Sequence, residues 1–164
     1  MGSLNYSIAQ AMAEKLNDGS PVIPCLEFNE PQFVPMHCHA YVPSNLNNNK
    51  VYSWIVCGGA TLGEGQDRCS SIWVWNLNIV LMKRLECLPD KDVVQPASIE
   101  ELDALMQYSE WCINQIGDTQ AVQNFDGSAT ANVVGIEVVD MPNQDMASQG
   151  MWVTEIQVTL HGRK

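Results

Sequence analysis

From Ile72 to Leu85 the chain sets Trp73, Trp75, Leu77, Ile79, Leu81 and Leu85 on odd positions, with Asn76, Asn78 and Arg84 on even ones. A period of two is the signature of a strand with one buried face and one polar face. A strand of this length must lie in a sheet whose apolar side is covered by a second layer. Two segments have the helical period that could supply that layer. Leu4, Ile8, Met12 and Leu16 recur every four residues, which predicts a helix from Ser3 to Asn17 that is capped by Ser3 and stopped by Asp18-Gly19. Ser98-Ile99-Glu100-Glu101 is a capping box, in which Glu101 would reach back to the Ser98 amide. The helix it opens carries Leu102, Leu105, Met106, Cys112, Ile113 and Ile116 as its apolar stripe, with Gly117 as its stop.

Between these landmarks, Pro21, Pro24, Pro31, Pro35 and Pro43 leave room only for short strands, Cys25–Phe28 and Gln32–Tyr41. Val51–Cys57 is rich in β-branched and aromatic residues and should end at Gly58-Gly59. Ala131–Val139 and Met151–His161 read as the last two strands, the latter with Trp152, Ile156, Val158 and Leu160 on one side and Glu155 and Gln157 on the other. The order is helix, strands, helix, two strands, without repeated strand-helix-strand units. The expectation is one α+β domain over residues 1–164, a mixed or antiparallel sheet with two main helices on one face. A chain of 164 residues hides roughly 70% of its unfolded surface, so it needs neither metal nor disulfide to fold.

Eight Lys and Arg against nineteen Asp and Glu give a net charge of −11. That balance excludes proteins that hold nucleic acid by neutralising phosphates, though not one that DNA must pass without adhering. No apolar run reaches the roughly 18 residues of a membrane span, and the first residues lack the basic and apolar regions of a signal peptide, so a cytoplasmic site of synthesis is expected. The six cysteines show no CxxC spacing and are read as free thiols.

Catalytic signatures are sparse. His37-Cys38-His39 could put two imidazoles on one side of a strand with Cys25 as a further zinc ligand, but a committed third ligand and supporting carboxylates are missing, and His161 lies far along the chain. Gly63-Glu64-Gly65 is too short for a dinucleotide fingerprint, and no GxSxG, HExxH or Walker pattern occurs. No catalytic residue, metal or cofactor is therefore assigned. The residues that point to contact with other chains are Gly63, Glu64, Gly65, Asp67 and Arg68, in a Gly58–Arg68 loop with four glycines and three charges, together with Tyr108 and Trp111. Those two aromatics fall beside the stripe of the second helix, where large side chains are often buried by a second subunit. The loop is expected to be mobile in the free subunit and held by a partner.

The stretch Ser71–Arg84, ending in Lys83-Arg84, followed by Ser98-Ile99-Glu100-Glu101-Leu102-Asp103-Ala104-Leu105-Met106, resembles the tail terminator (tail completion) proteins of long-tailed bacteriophages. The N-terminal helix, Ala40-Tyr41-Val42-Pro43 before Val51–Cys57, and the closing strand Val153–Leu160 extend the likeness over most of the chain. The resemblance implies a small α+β subunit, not an enzyme, that forms a homo-hexameric ring. That ring would sit on the finished tail tube, stop its polymerisation and dock to the head connector or neck protein. It implies a virion location, assembly in the host cytoplasm, and genomic DNA passing through the lumen without specific binding. An acidic lumen suits that conduit, since like charges repel. The alternatives are another neck or tail-tube ring subunit, such as a head-completion protein, and a small hydrolase or metal-binding module resting on His37 and His39.

Overall fold

The computed structural model describes residues 4–19, 21–37, 50–63, 72–85, 99–119, 121–123, 130–140 and 150–163. Its elements are α1 (Leu4–Asn17), β1 (Glu27–Met36), β2 (Lys50–Gly63), β3 (Ile72–Arg84), α2 (Ile99–Asp118), β4 (Ala121–Gln123), β5 (Thr130–Asp140) and β6 (Met151–Arg163). The strands form a six-stranded sheet in the order β1-β2-β3-β6-β5-β4. The β1–β2 pair is parallel and every other pair antiparallel, so the sheet is mixed and the fold is α+β. Parallel neighbours cannot be joined by a tight hairpin, and thirteen residues, 37–49, separate β1 from β2 in the sequence.

The odd positions of β3 face the helices, as their period requires. Trp75, Leu77, Ile79 and Leu81 are fully buried, and β6 matches them pair for pair, with Ile156 opposite Ile79, Val158 opposite Leu77 and Leu160 opposite Trp75. Both helices cover this face. Ile8, Met12 and Leu16 of α1 and Leu105, Tyr108, Cys112 and Ile116 of α2 join the sheet side chains in one core cluster. Gly19 N–H closes the end of α1 on Leu16 O.

Several boundaries differ from expectation for identifiable reasons. The two short strands predicted around Pro31 are one strand, β1. An edge position tolerates proline, and the interruption survives only as a register shift between Phe28 and Phe33. Strand β2 continues through Gly58-Gly59 to Gly63 by way of a bulge between Cys57 and Gly59, because its β3 partner is long enough to hold the glycines in register. Strand β4, which pairs only with Thr130–Asn132, was not expected. On α2 the buried line runs Leu105, Tyr108, Cys112, Ile116, and Met106, expected in the stripe, is exposed because it lies about a quarter-turn round the helix.

One charged pair is set into the covered face. Lys83 occupies an odd position of β3, and its Nζ pairs with a carboxylate oxygen of Glu101 in the first turn of α2, the side chains being 6% and 15% exposed. Glu101 thus pairs with Lys83. Ser98, the other half of the expected capping box, lies outside the described residues.

Candidate interaction surfaces

Tyr108, placed by its spacing at the margin of the core, is enclosed instead. Its hydroxyl lies 2.7 Å from Ser53 Oγ and accepts a hydrogen bond from Gln32 Nε2 at 2.9 Å. Since Gln32 donates, the phenol proton is available to Ser53, and the three groups tie α2 to β1 and β2. A side chain with no exposure cannot meet a second subunit, so Tyr108 is corrected from a contact residue to a core residue. Trp111, its neighbour on the expected list of contacts, is half-buried. Its ring lies 6.0 Å from Tyr108 and 6.3 Å from Phe33. A methyl group at Gly19 would stand 3.1 Å from the same indole, so the turn after α1 lies directly on Trp111.

Burial pushes the Tyr108 phenol well above its usual 10, with nearby Cys112 adding to the effect and the Ser53 and Gln32 bonds opposing it. Burial likewise raises the Cys112 thiol above its usual 9. Both groups keep their protons in the folded chain at pH values where the unfolded chain releases them. Their stabilisation is therefore complete below pH 9 and is lost as pH climbs through 9 and 10 toward the folded values. Tyr108→Phe should lower neutral-pH stability by about 1–3 kcal/mol, because Ser53 and Gln32 lose a buried partner. It should also flatten the upper part of the alkaline fall. Urea melts across that pH range check both, and an unchanged alkaline slope would remove Tyr108 from it.

Of the predicted loop, Gly63 is the last residue of β2 and pairs with Ile72, while Glu64, Gly65, Asp67 and Arg68 lie outside the described residues. The part of the loop expected to begin at Gly58 is strand. It carries Leu62, 58% exposed and opposite Trp73, at the far end of the β2–β3 pair.

The sheet's β1 edge is blunted at Phe33 and Pro35. Phe33 donates its N–H to Asn17 Oδ1 at 2.8 Å and accepts from Asn17 Nδ2 at 3.0 Å, so one side-chain amide at the end of α1 takes the place of a neighbouring strand. Two residues on, Pro35 has no N–H to offer on that side. Asn17→Ala should cost about 1–2 kcal/mol, one buried donor and one acceptor being left unpaired. Faster amide exchange at Phe33 would report the opened edge, and exchange as slow as in the parent would refute it. At the other edge β4 covers only the start of β5, whose remaining length bulges between Val133 and Gly135 and again between Val138 and Asp140.

The face away from the helices is divided. Trp54, Met82 and Met151 form a second apolar cluster with Val34, Met36, Tyr52, Val80 and Val153. Toward the other end of the strands the same face carries Asn76, Asn78, Gln157 and Thr159, with Thr159 Oγ1 donating to Asn76 Oδ1 at 3.4 Å.

Of the metal-binding candidates, His37 is exposed and stacked on Tyr6 at 3.8 Å, and Cys25 is exposed, whereas Cys38 and His39 lie outside the described residues. His161 projects from β6 at a position paired with Val74, on the face away from the helices. Among the described residues no three His, Cys, Asp or Glu side chains are grouped to hold an ion. Among the same residues no helix is long and apolar enough to cross a membrane. No protein-family model matches the chain, and no curated protein is significantly similar to it.

Proposed function

We propose that the chain is a structural ring subunit of a phage neck or tail: a tail terminator that caps the tail tube and docks it to the head connector. The observation that carries this reading is where the two resembling segments lie. The strand ending in Lys83-Arg84 and the helix opening with Glu100-Glu101 are separate in sequence, yet Lys83 and Glu101 join them in the fold. The two segments that carry the resemblance thus meet at the Lys83–Glu101 pair. Two physical features support it. A β1 edge blunted at Phe33 and Pro35 suits a subunit that assembles into a closed ring and not into an open-ended sheet. A net charge of −11 suits a conduit that DNA leaves without sticking.

The rival within virion proteins is a tube subunit, which the lengths of β2 and β3, 14 and 13 residues, also favour. Mixing the purified protein with tail-tube subunits separates the two. A terminator yields rings at tube tips and shorter tubes, whereas a tube subunit polymerises into long tubes by itself. Failure to associate with tubes in any form would refute both. The same reading predicts no tight DNA binding in a low-salt mobility-shift assay, since the chain gains no counterion-release term. A tight complex would contradict it.

A further inference from the structure

Between the end of α1 and β1 lies a cleft of about 590 Å3, lined by Asn17, Gly19, Pro21, Phe28, Asn29, Glu30, Pro31 and Gln32. We propose that this cleft receives an arginine side chain presented by a partner protein. The inference is independent of the ring reading.

Beside the Asn29 amide, which can donate or accept, the cleft offers acceptors. Gln32 donates its Nε2 to Tyr108, which leaves Oε1 as its free acceptor. Both ends of the Asn17 amide are taken by Phe33. Glu30 adds an exposed carboxylate. The end of α1 contributes the negative pole of the helix, whose last carbonyls lack helical partners. Among the described residues no lining residue is basic, and Lys15, in the last turn of α1, is exposed and outside the lining. Phe28 also lines the cleft, its ring centroid 4.8 Å from that of Tyr108. Acceptors beside an aromatic ring suit a planar cation. Guanidinium is weakly hydrated, stacks on aromatic faces and carries five donors, where an ammonium is a strongly hydrated point charge. The volume falls within the range of roughly 300–1,000 Å3 typical of ligand sites, so the flanking backbone of a partner segment fits with its arginine.

The test uses the peptide Gly-Arg-Gly, its isosteric but neutral analogue Gly-citrulline-Gly, and Gly-Lys-Gly, each titrated into the full chain and followed by NMR. The expected result is saturable shifts at the Gln32 and Asn29 side-chain amides with the arginine peptide, weaker ones with lysine, and none that saturate with citrulline. Glu30→Gln, at an exposed position that leaves the fold intact, should weaken the arginine peptide several-fold. The proposal is overturned by equal binding of the citrulline peptide, by an unchanged affinity in Glu30→Gln, or by no saturable shift at these amides.

Discussion

Lys83→Ala should destabilise the folded chain by about 3–5 kcal/mol, because it strands the Glu101 carboxylate at a mostly buried seam without its counter-charge. Glu101→Ala should cost a similar amount by leaving the ammonium without its counter-charge. The double replacement Lys83→Met with Glu101→Leu should recover most of the loss, since a well-packed apolar pair of similar volume often equals a buried ion pair. Urea melts of the three variants and the parent measure these values. Additive losses in the double variant would show that the two side chains act separately and would dissolve the seam on which the functional reading rests.

The second large effect concerns assembly. Gly63 and Ile72 are direct partners in the β2–β3 ladder, so replacing the intervening residues by a two-residue turn keeps the register. Since the buried side chains Trp75, Leu77 and Ile79 are committed to the sheet, the melting temperature should stay nearly unchanged. If Glu64, Gly65, Asp67 and Arg68 meet a neighbouring subunit, the tube or the connector, the yield of joined infectious particles should fall by roughly tenfold or more, the factor that about 1.4 kcal/mol of lost contact produces. Normal joining by the shortened variant would remove the loop from the interface and turn attention to the connection between β5 and β6.

What could be read from the amino-acid order divides along physical lines. Strand β3, strand β6 and both helices were legible because each must hide one face, and hiding a face writes a period of two or near 3.6 into the residues. The glycines of β2 look like loop because glycine weakens a strand locally, whereas the pairing that holds them comes from β3, a separate segment of the chain. The three residues of β4 have no period to read. Tyr108 was misplaced because the stripe was drawn through Met106. Its hydroxyl partners, Gln32 and Ser53, lie 76 and 55 residues away, beyond the reach of any local pattern. The Lys83–Glu101 pair did leave a trace. Lys83 is the one charged residue in the apolar phase of β3, and a buried cation demands an anion, which the acidic first turn of α2 supplies. The Asn17 clamp on β1 left none, since an asparagine ending a helix is ordinarily read as a stop.

The central claim is that this chain is a ring subunit where a phage tail meets its neck, and reconstruction of the intact particle tests it most directly. The account predicts a closed ring, six copies under the terminator reading, between the last tail-tube ring and the head connector. Single copies scattered over the particle surface, or a particle without this chain, would contradict it.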